Sequence, residues 1–159
     1  MNEELMANGH ILVDYPYAKE LLPFVKNQDY PALDLLFLND SKAQGKLNLF
    51  LQTFYPFNFL EHILAIRTPP DDDGIWHDDG SRHFGFSLSL NLDHQSIVGG
   101  ELLVRKKNST IETKYLPQPF GKMIIFLSGE FGYEHKVNEV TKGSRFIAAG
   151  WGSKAPFRD

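Results

Sequence analysis

Apolar positions up to about Tyr55 recur at helical spacing. Leu33, Leu36 and Phe37 repeat at three to four, as do Leu47, Phe50, Leu51 and Phe54. Such spacing predicts helices with one buried stripe. Tyr17 to Val25 follows the same period, although Pro23 interrupts it. Ile11-Leu12-Val13 predicts a short strand ahead of these helices. From Phe59 the rhythm changes. Phe59 to Arg67 is β-compatible, and Pro69 to Gly74 is a Pro/Asp/Gly loop. Phe84 to Leu92 alternates at period two. Gly99-Gly100 reads as a turn, followed by Glu101 to Arg105 and a returning strand over Ile111 to Tyr115. Lys122 to Leu127 is an apolar run expected to be buried on both faces. Tyr133 to Val137 and Ser144 to Trp151 complete the set. About seven or eight short strands separated by turns form the pattern of a sandwich or barrel. The expected class is therefore mainly β with N-terminal helices (α+β).

Composition narrows this picture. The 159 residues suit one domain with a real core, and 42% apolar with 23% charged residues are globular values. Sixteen basic against twenty acidic residues leave a net charge of −4, which weighs against a nucleic-acid partner. The absence of cysteine excludes disulfides, zinc-thiolate sites and thiol nucleophiles. The acidic start Met1-Asn2-Glu3-Glu4 lacks the features of a signal peptide, and no apolar stretch suits a membrane span. A cytoplasmic protein without a membrane partner is the expectation.

The candidate chemistry centres on Trp76-His77-Asp78-Asp79-Gly80. On a strand, His77 and Asp79 would project to one side and Asp78 to the other. His135, near the far end of the strand-rich region, adds a second imidazole. Two imidazoles and one carboxylate on one face of a metal leave positions open, as in catalytic non-haem Fe(II) sites. Zinc accepts the same ligand types, so the ligands alone do not select iron. Arg145 lies ten residues after His135, across Asn138 to Gly143. On an adjacent strand its guanidinium could take a carboxylate in bidentate fashion. The far carboxylate of 2-oxoglutarate is such a partner, and a zinc hydrolase would not need this cation.

With these residues in place, the chain from about Phe59 to Ser153 resembles the 2-oxoglutarate/Fe(II)-dependent dioxygenases, in particular their prolyl 4-hydroxylase-like branch. The resemblance rests on His77-Asp78-Asp79, Gly99-Gly100-Glu101-Leu102, the apolar strand Gly121 to Leu127, His135, Arg145 and Trp151. It implies a double-stranded β-helix (jelly-roll) core over 59–153, supported by a mostly helical segment over 1–58, within a single domain over 1–159. It implies His77, Asp79 and His135 as metal ligands and Arg145 as the co-substrate anchor. Fe(II), 2-oxoglutarate and O2 would be required, with ascorbate as an optional reductant. The expected reaction is hydroxylation of an unactivated C–H bond, with succinate and CO2 as co-products. Asp79 favours hydroxylation over halogenation, since related halogenases carry a small residue there. A peptidyl substrate, including a prolyl one, and a small molecule both fit the branch.

Relatives place tyrosines on the strands beside His-x-Asp, where this chain has Ile66-Arg67-Thr68-Pro69 and Ser87 to Asn91. Thr68 and Ser89 are the hydroxyls expected to replace them at the co-substrate. Trp76 and Trp151 are expected as part core and part pocket wall. Arg67 and Arg82 would meet an anionic substrate if they face the opening; surface cations are the plainer expectation. His10, His62, His83 and His94 are read as structural or surface residues, His83 being the first exception to consider because it follows the metal-ligand stretch closely, and Asp71-Asp72-Asp73 as a solvated loop. Jelly rolls also serve as cupin-like or lectin-like binding modules, and a non-catalytic ligand-binding module is the alternative to an enzyme.

Overall fold

The computed structural model describes residues 1–156. Helices α1 (Glu3–Asn8), α2 (Ala18–Lys26), α3 (Tyr30–Ser41) and α4 (Lys46–Gln52) alternate early with strand β1 (His10–Asp14). Nine strands follow: β2 (Phe59–Arg67), β3 (Phe84–Ser89), β4 (Val98–Gly99), β5 (Leu102–Lys106), β6 (Glu112–Tyr115), β7 (Lys122–Leu127), β8 (Tyr133–Val137), β9 (Val140–Lys142) and β10 (Arg145–Ser153). The helices start where local chemistry allows it. The Asn2 side chain caps α1 by accepting from Leu5 N–H at 2.9 Å, and Asp29 accepts from Ala32 N–H at 3.2 Å at the start of α3.

A five-stranded sheet runs in the order β1-β7-β3-β10-β2, all neighbours antiparallel. A three-stranded sheet, β6-β5-β8, faces it, and β4 pairs β9. Two facing antiparallel sheets with helices over the larger one form the expected jelly-roll, double-stranded β-helix architecture. The helix face of the larger sheet carries much of the core, with Phe84, Phe86, Leu88, Met123, Ile125 and Ala148 all buried. Tyr30 of α3 meets Phe146 edge-on at 5.3 Å, and Phe37 lies 5.7 Å from the His62 ring.

Three elements were not foreseen: α1, β4 and β9. The last two are only two and three residues long, too short to show a period. Strand β3 also departs from expectation. It alternates apolar and small residues, yet all six are buried. Helices cover one face and the opposite sheet covers the other, so its serines line an enclosed space.

Glycine in β3 matters to that space. A Cβ at Gly85 would lie 2.6 Å from the Phe126 ring. Without it, the ring lies across β3, with its centroid 4.5 Å from that of His135.

Candidate active site

His77 lies on the loop between β2 and β3 and makes an isolated bridge to β8. His77 N–H donates to His135 O at 3.0 Å, and His135 N–H donates to His77 O at 2.9 Å. The two rings sit 4.3 Å apart. His77 Nδ1 donates to Ile75 O at 2.8 Å, which leaves Nε2 with its lone pair free. His135 is 5% exposed, with Nε2 directed at Asp79 Oδ2 over 3.1 Å. His77 Nε2 lies 3.5 Å from Asp79 Oδ1.

Convergence is reached by a different route from the one expected. The His-x-Asp stretch is not a continuous strand. Asp79 has φ 59° and Gly80 φ 63°, so the backbone turns through the left-handed region directly after the bridge. That turn, rather than strand alternation, brings the carboxylate to the imidazoles. Asp78 does face away, where it pairs with Lys107.

The ligand atoms of His77, Asp79 and His135 all lie within 4.8 Å of one another. Metal–nitrogen bonds of about 2.0–2.1 Å set neighbouring ligands about 3 Å apart. The observed 3.1 and 3.5 Å separations match that spacing. Both Nε2 atoms face the Asp79 carboxylate, so the donor set fits a divalent metal.

Burial alone would raise the Asp79 carboxyl. The hydrogen bond from His135, the charges of His135 and His77, and the Trp151 indole N–H together outweigh it and hold the group below the ordinary aspartate range. Trp151 Nε1 donates to Asp79 Oδ2 at 2.6 Å. The main-chain oxygen of Asp79 accepts from Arg82 at 3.2 Å, and Arg82 is itself held by Glu61 at 2.7 Å.

A cleft of about 170 Å³ opens beside the triad. His77, His135, Arg67, Arg145, Ser87 and Trp151 supply its polar lining, and Ile63, Ala65, Leu102, Phe126, Ile147 and Ala149 supply apolar walls. The strand register explains this set. Arg145, Ile147, Ala149 and Trp151 alternate along β10, so they share its inner face. A smaller cavity of about 10 Å³, room for one water, shares Ser87, Leu102, Arg145 and Ile147 with the cleft.

Arg145 is 5% exposed. Among the described residues no carboxylate pairs with it. Burial first, and the nearby Arg67 charge second, push its guanidinium down to about 10. The Gly99-Gly100 turn makes room for it. Gly100 has φ 72°, and a Cβ there would lie 3.0 Å from Arg145 Cδ.

Several expected site residues lie elsewhere. Thr68 is exposed just beyond β2 and does not line the cleft. The inward positions of β2 are Ile63, Ala65 and Arg67, so position 68 falls on the opposite side of the alternation. Ser89 lines only the small cavity, and its hydroxyl donates to Gln118 O at 2.6 Å. Trp76 is outside the cleft; Arg105 stacks on its ring at 3.7 Å. Arg82 braces the Asp79 turn instead of facing the opening. Arg67 and Trp151 do line the cleft. Ser87, 8% exposed on the inner face of β3, was missed, although its period-two relation to Ser89 marked it. Asn91 was missed as well. Its Oδ1 accepts from Phe146 N–H at 2.8 Å and so fixes the backbone next to Arg145.

The family model of the 2OG-Fe(II) oxygenase superfamily matches residues 63–153, more than half of the chain and the whole of the site. The chain belongs to the 2OG-Fe(II) oxygenase superfamily. No curated protein sequence matches it. Solved structures share the fold of this oxygenase. A prolyl-4-hydroxylase of Pseudomonas putida is 20% identical, with a TM-score of 0.67 over 96% of this chain and 92% of that one. A prolyl hydroxylase of Trichoplax adhaerens, in complex with a hypoxia-inducible-factor degradation-domain peptide, is 15% identical, with a TM-score of 0.64 over 95% and 86%. HygX of Streptomyces hygroscopicus, with nickel and 2-oxoglutarate bound, is 13% identical, with a TM-score of 0.62 over 96% and 87%. The fold is thus that of the prolyl 4-hydroxylase-like branch, and membership makes this chain a 2-oxoglutarate- and iron-dependent dioxygenase. Among the described residues, no helix is long and apolar enough to cross a membrane.

Proposed function

We propose that this oxygenase hydroxylates an unactivated C–H bond of a peptidyl or small-molecule substrate, releasing succinate and CO2. His77, Asp79 and His135 hold the iron, and Arg145 anchors the far carboxylate of 2-oxoglutarate. The whole chain acts as one domain, with residues 1–58 supporting the catalytic core. One observation carries this reading. A nearly buried guanidinium without a carboxylate partner among the described residues faces the same cleft as the ligand triad. A buried charge left unpaired is costly, so the site is built for an anion that arrives with the ligand.

When bound, the iron would supply dioxygen activation coupled to oxidative decarboxylation of the keto acid. The protein's own residues bind, orient and exclude water. Ile75 O fixes the His77 tautomer. Trp151 and Arg82 hold the Asp79 carboxylate and its backbone turn. Leu102, Phe126 and Ile147 keep the space between triad and anchor dry, which strengthens the charge contacts at both ends. The wall at Ile63 is 47% exposed and belongs to β2, the edge strand of the larger sheet. An extended peptide can add to such an edge, which favours the peptidyl substrate.

Asp79→Ala tests the assignment. It should abolish iron-dependent succinate formation while the far-UV circular dichroism is kept. Full turnover by this variant would remove Asp79 from the ligand set, whereas well-folded wild-type protein that forms no succinate with Fe(II) and 2-oxoglutarate would favour a binding module on the same fold.

A further inference from the structure

Arg67 of β2 and Arg145 of β10 are register partners. Both side chains line the cleft that holds His77 and His135. Like charges directly opposite on one sheet face are destabilising. Neither is closely neutralised. Arg145 has no carboxylate partner among the described residues. Among the described residues, Arg67 reaches only Asp71 at 3.8 Å and the carbonyl oxygen of Asp72 at 3.4 Å. Charge-assisted hydrogen bonds run at about 2.7–2.9 Å. Two other arginines do reach that range, as Arg82 holds Glu61 at 2.7 Å and Arg105 holds Glu134 at 2.8 Å. A carboxylate set between Arg67 and Arg145 would relieve both.

Donor counting points the same way. A carboxylate offers about four lone-pair sites, and one guanidinium fork fills two of them. Ser89 is not free to fill the rest. Its proton goes to Gln118 O at 2.6 Å, and its oxygen accepts from Asn91 Nδ2 at 3.0 Å. Arg67 stands nearer the mouth, with 31% of its side chain exposed against 5% for the whole of Arg145. One guanidinium lies deep and the other at the rim.

We propose that Arg67 is a second anchor for the far carboxylate of 2-oxoglutarate, which is clamped between guanidiniums from two adjacent strands. This rests on the site assigned above. It makes the pocket selective for a keto acid with two carboxylates, and it releases Arg67 from its loose hold on Asp71 when the co-substrate binds.

The test is calorimetric binding to the Mn(II)-loaded protein, which reads affinity without turnover. 2-Oxoglutarate and pyruvate, which lacks the far carboxylate, are the two probes. Variants are Arg67→Gln, Arg67→Lys and Arg145→Gln. Arg67→Gln should weaken 2-oxoglutarate binding about tenfold or more, Arg67→Lys less, and neither should change pyruvate binding. Metal-free Arg67→Gln should melt at or above the wild-type temperature, because a like-charge pair has been removed. If Arg67→Gln binds 2-oxoglutarate as the wild type does while Arg145→Gln loses it, the second anchor is wrong and the main site stands. If Arg67→Gln weakens both probes equally, Arg67 acts at the chelating end or on the fold, and the clamp is overturned. If Arg145→Gln also leaves 2-oxoglutarate binding intact, the site assignment itself fails.

Discussion

Trp151 Nε1 donates to Asp79 Oδ2 at 2.6 Å, across 72 residues of sequence. The indole ties the carboxylate of the triad to the central strand pair of the larger sheet. Its ring is also 5.6 Å from the Arg82 guanidinium. Partners that orient metal ligands typically contribute about 10–100-fold in metal affinity. Trp151→Phe keeps an aromatic ring and removes the donor. It should weaken Mn(II) or Fe(II) binding about tenfold with little loss of stability, as measured by metal titration and thermal melting. Unchanged metal affinity would reduce Trp151 to a wall of the cleft.

Arg145 has two opposite effects, which can be separated. In the ligand-free protein its buried charge is unfavourable, and burial together with Arg67 pushes its guanidinium down to about 10. Arg145→Met should therefore raise the melting temperature of the ligand-free protein. The same change should abolish the further rise that 2-oxoglutarate gives the metal-loaded wild type. Truncating one partner of a buried charge pair costs ~2–5 kcal/mol, so the apparent 2-oxoglutarate requirement should rise far more than that for iron.

Acidification should destabilise the fold through two half-buried histidines. Burial lowers both His83 and His10 below the ordinary histidine value. Between that value and the lower folded one, the unfolded chain binds more protons, so stability rises with pH in that window. Stability lost as pH falls through about 6.5 should be visible as a lower urea midpoint at pH 5.5 than at pH 7.5. His83 Nδ1 is buried without a hydrogen-bond partner among the described residues, and its ring stacks on Tyr55 at 5.6 Å. His83→Phe should flatten part of this dependence. The depressed Asp79 carboxyl acts in the same sense at lower pH, since its contribution is present above the unfolded aspartate value and lost as pH falls through the folded one.

Gly85 tests the packing behind the site. A Cβ there would meet the Phe126 ring at 2.6 Å, and that ring backs His135. Overpacking of a tight core typically costs about 1–3 kcal/mol. Gly85→Ala should lower stability by about that amount in denaturant titration and weaken metal binding as His135 shifts. A stable variant with normal metal affinity would show that the Phe126 ring can move aside freely.

Much of this site was legible in the sequence because its chemistry is carried by residue types with few alternative uses. His77, Asp79 and His135 come together and Arg145 lines the same cleft, although the turn at Asp79 and not strand alternation brings its carboxylate in. The strands that carry Arg145 and His135 follow from apolar runs and turn residues. What was not legible depended on backbone conformation or on committed hydrogen bonds. The positive φ of Asp79 cannot be seen in a His-Asp-Asp string. Ser89 looked available until Gln118 O took its proton, and Gln118 is 29 residues away. Thr68 failed because the inward positions of β2 are Ile63, Ala65 and Arg67, a parity that only the strand's placement in the sheet reveals. The burial of β3 on both faces depends on what covers it, which its own alternation does not record. Arg67 was named only as a conditional partner for an anion; its opposition to Arg145 needed the strand register.

The most direct measurement is an anaerobic titration of the metal-free protein with Fe(II) and then 2-oxoglutarate, followed by visible absorption. A weak charge-transfer band that requires both components, and that is lost in Asp79→Ala, is the result expected if His77, Asp79 and His135 present iron to a keto acid held by Arg145. Well-folded protein that gives no band with saturating Fe(II) and 2-oxoglutarate would contradict the proposed site.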